Sequence, residues 1–314
     1  MLLRCLPLLL APLFLLGGGC PPSSTTASES AAAPSSAAAP ALPDSALPPP
    51  DSATAARFAA AMRYAVNQKP TVSSVGALMQ ALGSHFRGRP YLEGTLDTGR
   101  TESLVVRLDG FDCVTFVETT LALARGVMAG DTTYAGFARR LAEQRYRGGP
   151  PRGYCSRLHY FTEWMADNEE KGIVERLDDD LGGRRMTDTL DFMSTHRSSY
   201  DRFATNDSLY ACIQRMEDDL QARQADRPVR FVPQDSIRAV YDQLRAGDIV
   251  AIATSIDGLD VAHSGLVYAH ENGDRGLLHA SLSDGVVVSP DLQRYVQKID
   301  HQIGIVVARP RPVR

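Results

Sequence analysis

The strongest local signal in the chain lies at residues 108–118, which read LDGFDCVTFVE. Gly110 breaks the preceding extended segment, and Asp112 is a favoured residue for the N-cap of a helix. The apolar residues that follow recur at helical spacing: Val114, Val117, Leu121 and Ala124. The pattern predicts a helix over residues 112–125, with Cys113 in its first turn. Because a helix N-terminus favours an anion, we expect it to lower the pKa of the Cys113 thiol.

The cysteine count supports a reactive role for Cys113. The chain has five cysteines, and Cys5 and Cys20 fall in an N-terminal export segment described below. An odd number remains, which in an oxidising compartment suggests one free, reactive thiol. Cys155 and Cys212 can pair as a disulfide or stay reduced, and the sequence leaves both open. No pair has C-x-x-C spacing, so we predict no metal site. By position alone, Cys113 fits a nucleophile and a buried structural cysteine equally well.

Two histidines on neighbouring predicted strands are the candidate bases. His263 lies in VAHSGLV and His279 in LLHAS; one would take the thiol proton while the other orients its ring. The alternative for each is a hydrogen-bonded, half-buried side chain. A two-residue hairpin turn would pair Leu266 with His279 and put the histidines on opposite faces of the sheet. A three-residue loop at 271–273 pairs Gly265 with His279 and puts both on one face. A catalytic pair therefore predicts the longer loop or a bulge.

The remaining periodicity predicts an α+β fold, in which helices precede an antiparallel sheet. Helices are predicted at 55–68, 72–86, 134–146, 158–170, 207–223 and 235–244. Strands are predicted at 104–108, 248–253, 261–269, 276–281, 286–289 and 303–309. We interpret residues 56–314 as a single domain with a large, mostly helical insertion at about 150–245.

The first 55 residues predict an export signal followed by a tether. Arg4 precedes an apolar run of about 11 residues, which suits a signal peptide over 1–19 and is too short to span a bilayer. Small residues before Cys20 resemble a lipoprotein cleavage site, although the large apolar residue stands one position too early. Lipidation of Cys20 would anchor the protein in the cell envelope, facing the periplasm, on the outer membrane of a Gram-negative cell. The alternative is a plain secretory signal and a secreted protein. Residues 20–55, rich in Ala, Ser, Thr and Pro, predict a disordered tether.

The charge balance excludes one class of partner. The chain has 314 residues with 33 Lys and Arg against 37 Asp and Glu, which gives a formal net charge of −4. Nucleic-acid-binding proteins usually carry a basic surface, so we expect no nucleic-acid partner. We expect a monomer that needs no cofactor.

The order of several motifs resembles the NlpC-type superfamily of bacterial cell-wall cysteine amidases and peptidases, which are similar to papain. These motifs are Gly88-x-Pro90-Tyr91, Phe111-Asp112-Cys113, His263-Ser264-Gly265 and His279-Ala280-Ser281. Four further stretches resemble the N-acetylmuramoyl-L-alanine amidase-like branch: residues 108–118, 156–161, 231–233 and 247–250. The resemblance covers roughly residues 75–309 and implies a papain-like fold, with the cysteine helix packed on the C-terminal sheet.

The resemblance also implies roles for individual residues. Cys113 matches the nucleophile, His263 the general base and His279 the residue that orients the base. Tyr91 matches an active-site tyrosine whose hydroxyl helps to hold an oxyanion, with a structural turn at residues 90–91 as the alternative.

Three more residues match positions at or near the substrate. Asp112 would cap the helix or bind substrate. Arg157 and His159 lie in a motif that would contact the glycopeptide. For Arg157, a structural ion pair fits equally well.

One departure from the superfamily pattern favours an amidase. Endopeptidases of the superfamily typically read Asp-Cys-Ser-Gly and hold the free amine of a stem peptide, whereas Val114 follows Cys113 here. The resemblance therefore implies hydrolysis of the lactyl–L-Ala amide of peptidoglycan fragments (muropeptides) through a thioester. The alternatives are a γ-D-glutamyl-L-diamino acid endopeptidase and, in a different class, a non-catalytic envelope-binding lipoprotein.

Overall fold

The N-terminal boundary of the folded region lies earlier than predicted. A computed structural model describes residues 42–313, so the predicted signal peptide, Cys20 and most of the predicted tether lie outside the described residues. Helix α1 spans Ser52–Gln68 and begins three residues before the predicted start, because the Asp51 carboxylate accepts a hydrogen bond from the Thr54 N–H (2.6 Å). Leu42 and Leu47 pack against the core. The predicted tether boundary at residue 55 is therefore too late.

Four N-terminal helices form as the periodicity predicts, within a few residues at each end. They are α1, α2 (Val75–His85), α3 (Cys113–Met128) and α4 (Tyr134–Arg145). Residues 104–108, predicted as a strand, form none. One of their carbonyls bonds to a side chain, since Val105 O accepts from Arg145 Nη1 (2.6 Å).

The C-terminal part is an antiparallel sheet, as predicted. Its elements are β4 (Ile249–Thr254), β5 (Val261–Ala269), β6 (Arg275–Ser281), β7 (Gly285–Ser289), helix α8 (Leu292–Gln297) and β8 (Gln302–Pro310). Three short strands precede these in the chain: β1 (Val174–Arg176), β2 (Arg184–Arg185) and β3 (Arg230–Pro233). Within residues 42–313 the strand order is β2-β3-β8-β4-β5-β6-β7, and β1 also pairs with β8. Every strand pairing is antiparallel.

The insertion is less helical than predicted. It contains α5 (Phe161–Glu170), α6 (Phe192–Thr195) and α7 (Asp207–Asp226), and residues Gln234–Val240 form a 3-10 helix. It also contributes the three short strands β1, β2 and β3 to the sheet. Strands of two to four residues are too short to show an alternating pattern in the sequence. The insertion is therefore joined to the C-terminal sheet by backbone hydrogen bonds.

Helix α3 lies at the centre of the molecule and is buried on nearly every side. It packs against α2 and α4 on one side and against β5 and β6 on the other. Gly83 of α2 permits this packing, since a Cβ there would lie 2.9 Å from the Phe116 ring and 2.6 Å from Leu278 Cδ2. Within the described residues, no helix is both long and apolar enough to cross a bilayer.

One buried ion pair ties α3 to α4. Glu118 and Arg145 have side chains only 1% and 3% exposed, and Arg145 Nε donates to Glu118 Oε2 at 2.8 Å. The other nitrogens of this guanidinium bond to Glu118 Oε2 (2.7 Å) and to Val105 O (2.6 Å). Each charge is therefore satisfied by the other or by the backbone.

Removing one partner of this pair should be costly. Glu118→Ala leaves the Arg145 charge buried without its partner, so we expect the free energy of unfolding to fall by about 3–5 kcal/mol. The double variant Glu118→Leu/Arg145→Met should be clearly more stable than Glu118→Ala, because neither charge remains. Urea denaturation measures both. Equal loss in the two variants would contradict the role given to the unpaired charge.

Cys155 and Cys212 form a disulfide that links the turn at Tyr154–Ser156 to α7. The bond closes a loop with a sequence separation of 57 residues. Constraining the unfolded chain over such a loop is worth about 4 kcal/mol in the loop-entropy treatment. We expect dithiothreitol to lower the thermal midpoint of the wild type but not that of a Cys155→Ser/Cys212→Ser variant. If dithiothreitol lowered the thermal midpoint of both proteins equally, its effect would not come from the Cys155–Cys212 disulfide.

Candidate active site

Cys113 is the first residue of α3, and the helix is capped immediately before it. Asp112 Oδ1 accepts a hydrogen bond from Thr115 N (2.7 Å), and Thr115 Oγ1 accepts one from Asp112 N (3.0 Å). This reciprocal capping box fixes the direction in which the helix begins. Of the two roles predicted for Asp112, helix capping is the one the geometry displays. Cys113 is the free cysteine among the described residues and is 6% exposed.

The hairpin between β5 and β6 has the longer of the two predicted loops. Leu266 pairs with Leu278 and Ala269 with Arg275, a register that places Gly265 opposite His279 and leaves residues 271–273 as the loop. His263 and His279 therefore point to the same face. Glycine is required at 265, because a Cβ there would lie 2.9 Å from the Cβ of His279.

The two histidines form a directed chain of hydrogen bonds that ends at Ser289. His263 Nε2 lies 2.8 Å from His279 Nδ1, and His279 Nε2 lies 3.2 Å from Ser289 Oγ. If His279 donates from Nε2 to Ser289, its Nδ1 accepts from His263 Nε2, and Nδ1 of His263 is left as a proton acceptor. Ser289, on β7, was not predicted from the sequence, because an isolated serine carries no signal of its own.

A cavity of about 70 Å³ brings the sequence-predicted residues together. Its lining includes Cys113, His263, Tyr91 and His159, four of the residues singled out in the sequence. The other lining residues are Val114, Tyr160, Phe161, Phe192, Met193, Tyr200, Leu259, Val261, Ala262 and Ser264. No ionised carboxylate, lysine or arginine lines this cavity among the residues that the structure describes.

Arg157 does not line the cavity. Its guanidinium is buried, forms an ion pair with Asp97 and donates to Leu96 O (2.9 Å). Glu102 lies 3.7 Å from its Nε atom. The structural ion pair is thus the alternative that the geometry favours for Arg157, because its charge is already matched inside the fold.

His159 lines the cavity, and its ring is also held by contacts with Tyr154. Its Nε2 lies 2.9 Å from Tyr154 O, and the two rings are 4.5 Å apart. Burial, together with the Arg157 charge, keeps the pKa of His159 well below its usual range. A neutral His159 therefore faces the cavity at neutral pH.

Burial dominates the electrostatics of the site. It raises the pKa of the Cys113 thiol to about 11, and the Asp112 carboxylate adds to the shift, while hydrogen bonds from Ser264 act in the opposite direction. The expectation that the helix N-terminus lowers this pKa is therefore wrong, because the cost of desolvating the thiolate is larger. Burial also lowers the pKa of His263 to about 3 and that of His279 to about 4. The thiol and both imidazoles are uncharged at neutral pH.

Several residues of the site were missed in the sequence. The Tyr295 ring, on α8, lies 4.7 Å from the His279 ring and 6.0 Å from that of His263. Asp260, directly before β5, accepts hydrogen bonds from Thr162 N (2.8 Å) and Thr162 Oγ1 (2.7 Å), which fixes the start of α5. Tyr295 was not predicted because α8 is only six residues long, and Asp260 was not predicted because an aspartate before a strand is common. Among residues 42–313, no cluster of His, Cys, Asp and Glu is placed to hold a metal ion.

The buried neutral histidines make stability depend on pH. In the unfolded chain each binds a proton near pH 6.5, whereas the folded His263 and His279 remain neutral down to about pH 3 and pH 4. Around pH 5 the unfolded chain thus binds one more proton at each of these two histidines, so together they should lower the free energy of unfolding by about 3 kcal/mol per pH unit as the pH decreases. His159, whose pKa is also well below its usual range, adds to this loss in the same direction.

Urea denaturation between pH 6.5 and 4.5 measures how the free energy of unfolding depends on pH. The variant His279→Gln has one titrating group fewer, so this dependence should be smaller by roughly 1.4 kcal/mol per pH unit. An unchanged slope in the variant would show that His279 is already protonated in the folded protein.

Comparison with known proteins places this geometry in a family. The sequence profile of the AmiA-like family, described as N-acetylmuramoyl-L-alanine amidase-like, matches residues 81–305. A crystal structure of an N-acetylmuramoyl-L-alanine amidase from Bacteroides uniformis ATCC 8492 is similar, with a TM-score of 0.70 and 29% identity over 76% of this chain and 100% of that one. Among curated proteins, none matches this chain.

Two other solved structures are also similar. A Bacteroides fragilis protein with a provisional xylanase name has 32% identity and a TM-score of 0.66, over 72% of this chain and 98% of its own. A Legionella pneumophila protein of family DUF1460 has 20% identity and a TM-score of 0.61, over 83% of this chain and 96% of its own, which shows likeness of fold alone. Since the family profile spans most of the chain and includes both the Cys113 helix and the histidine strands, this chain belongs to the N-acetylmuramoyl-L-alanine amidase-like family.

Proposed function

We propose that the protein is a cysteine-dependent N-acetylmuramoyl-L-alanine amidase with a papain-like, NlpC-type arrangement. The observation that carries the proposal is the shared cavity. Cys113, on the first turn of α3, lines the same cavity as His263, whose Nε2 is held 2.8 Å from His279. A nucleophile, a base and a group that orients the base are the parts that nucleophilic acyl transfer requires.

The proposed reaction starts from uncharged groups. His263 is neutral, so it accepts the thiol proton of Cys113 as the sulfur attacks the lactyl carbonyl, and no thiolate needs to exist beforehand. With Nε2 bonded to His279, Nδ1 of His263 is the nitrogen that takes the proton. The imidazolium formed is stabilised by His279, which in turn bonds Ser289.

The remaining steps complete the hydrolysis. The hydroxyl of Tyr91 and the backbone N–H of Cys113, at the helix N-terminus, are the proposed donors to the oxyanion. His263 then gives its proton to the amine of L-Ala, which leaves, and the lactyl group remains as a thioester on Cys113. Water, deprotonated by His263, attacks the thioester and releases the carboxylate and the free thiol.

The lining of the cavity favours an amide over a glycosidic bond. Glycoside hydrolysis, the activity in the name of the Bacteroides fragilis neighbour, normally needs two carboxylates flanking the bond. The described lining contains none, whereas it contains the cysteine and histidine that acyl transfer uses. Val114 after Cys113, in place of a serine that could help to hold a free amine, supports the lactyl–L-Ala amide over the endopeptidase alternative.

The location follows from the N-terminal sequence and is part of the proposal. A signal peptide over residues 1–19 and a lipidated Cys20 would hold the enzyme on the periplasmic side of the envelope, where muropeptides occur. We propose that it acts as a monomer and without a nucleic-acid partner.

Product analysis tests the bond that is cut. We expect the full chain to release intact stem peptide from N-acetylmuramoyl-L-Ala-D-isoGln and from longer muropeptides, and we expect Cys113→Ala to lose at least about 10³-fold in kcat/KM, because the nucleophile is gone. Mass spectrometry of the products distinguishes the alternatives. From the longer muropeptides, formation of N-acetylmuramoyl-L-Ala-D-Glu together with a peptide that begins at the diamino acid would support the endopeptidase. Full activity of Cys113→Ala would refute a cysteine mechanism.

A labelling experiment supplies the control for folding. Iodoacetamide reacts with thiolates, so labelling is done at alkaline pH, where the raised pKa of the Cys113 thiol still allows some thiolate to form. Mapped by mass spectrometry, the reagent should modify Cys113 and abolish hydrolysis, while Cys155 and Cys212 are protected by their disulfide. Thermal denaturation of Cys113→Ala should match that of the wild type, so that loss of activity reports chemistry and not unfolding. Activity that survives complete labelling at Cys113 would exclude its role as nucleophile.

A further inference from the structure

One wall of the cavity comes from the insertion and is largely aromatic. Tyr160 and Phe161 line the cavity from the start of α5, and Phe192 and Met193 line it from α6. Tyr200 adds another ring. Helix α6 spans four residues, which is too short to be stable by itself, so its position must be imposed by contacts with its surroundings.

Asp191 N and Phe192 N bond to Gly258 O (3.2 and 3.0 Å), and the other contacts converge on one buried carboxylate, Glu217 of α7. Its side chain is 3% exposed. Glu217 Oε1 accepts a hydrogen bond from the Tyr160 hydroxyl (2.7 Å) and one each from Met193 N (3.0 Å) and Ser194 N (3.1 Å). The Tyr160 oxygen also accepts from Met193 N at 3.2 Å. A single oxygen atom therefore joins the two segments that form this wall.

Glu217 acts on α6 as a helix cap supplied by another element. Asp191 stands at the N-cap position, but its side chain makes no capping hydrogen bond. The N–H groups of the second and third residues of the helix, Met193 and Ser194, donate instead to Glu217, and a negative charge at a helix N-terminus is favourable. The same carboxylate holds the Tyr160 ring by its hydroxyl, so Glu217 fixes Tyr160 and α6 relative to each other.

The chemistry of the wall indicates what it contacts. Aromatic rings and a methionine can pack against the C–H face of a sugar, and no lysine or arginine in the described lining could pair with a stem-peptide carboxylate. Burying a carboxylate here without a partner would be costly. The uncharged N-acetylated sugar suits this wall, whereas the acidic stem does not.

We propose that Glu217 is a positioning residue that holds the insertion wall as the binding surface for the sugar ring of the substrate. The proposal rests on the proposed amidase function for the identity of the sugar. It predicts that loss of the Glu217 charge weakens binding of the sugar while leaving Cys113 and its histidines unchanged, because Glu217 contacts neither.

Two matched substrates separate this role from a general structural one. They are N-acetylmuramoyl-L-Ala-D-isoGln and the same peptide carrying only the lactyl group. Glu217→Gln replaces three charge-assisted hydrogen bonds with weaker neutral ones, so kcat/KM for the sugar-containing substrate should fall by about 10-fold or more, mostly through KM. For the lactyl peptide the change should stay below about 2-fold, since the sugar contact is absent. Equal losses on both substrates, or no loss on either, would overturn the proposal.

A binding readout needs no turnover. N-acetylglucosamine, the uncharged N-acetylated sugar without the lactyl carboxylate, should protect Cys113 of the wild type from iodoacetamide, and Glu217→Gln should weaken this protection by about 10-fold, in line with the lost contacts. The labelling rate without sugar should not change. Unaltered protection would overturn the role of Glu217. Failure of the wild type to cut the lactyl amide would instead overturn the proposed function, so the two outcomes are distinct.

Two further variants guard against misfolding. Tyr160→Phe removes only the hydroxyl anchor and should reproduce the sugar-selective loss to a smaller degree. Glu118→Gln alters another buried glutamate, the one paired with Arg145, and should lower the thermal midpoint while reducing activity on both substrates by the same factor. A sugar-selective loss in Glu118→Gln would mean that any destabilisation has this effect, which would refute a specific role for Glu217.

Discussion

The register of β5 against β6 is the constraint on which the site depends. Gly265 faces His279 across the hairpin, so that the histidines lie on one face and their rings meet at 2.8 Å. Side chains alternate along a strand, hence a shift of one residue would send one ring to the opposite face. Helix α3 packs on this same pair of strands, and its capped N-terminus brings Cys113 to the cavity that His263 lines. The site therefore depends on the correct pairing of β5 with β6 as much as on the presence of Cys113 and the two histidines.

Burial leaves Cys113 and the two histidines uncharged before substrate binds, whereas a helix N-terminus alone would favour a Cys113 thiolate. The thiol keeps its proton because a thiolate would lose its solvation, and the histidines stay neutral for the same reason. The proposed mechanism therefore separates charge only while the substrate occupies the cavity. The hydrogen bonds from Ser289 through His279 to His263 then keep His263 in the tautomer whose Nδ1 can accept a proton. Two imidazoles exposed to water would exchange between tautomers.

The parts of the structure that were predictable are those with a repeating pattern. The stripe after Cys113 located α3, and the β-branched runs located β4 to β8, since each spans several periods. The hairpin loop was predicted conditionally, from the requirement that two histidines share a face. The short strands β1 to β3 and helix α6 escaped because two to four residues cannot show a period. Glu217, Ser289 and Tyr295 escaped because their importance comes from partners distant in sequence, and Arg157 was equivocal because an ion pair and a substrate contact use the same guanidinium.

Strand β8 holds the sheet together, and its position in the chain has a consequence for biogenesis. It pairs with β4 on one side and with β3 and β1 of the insertion on the other, yet it is the last strand to be synthesised. Until Gln302–Pro310 leaves the ribosome, both β4 and the insertion strands lack their neighbour. A polypeptide emerging from its N-terminus therefore cannot join β4 to the insertion strands until β8 has been synthesised. Such late closure delays completion of the fold, and a polypeptide must lack its complete fold to be threaded through a narrow channel.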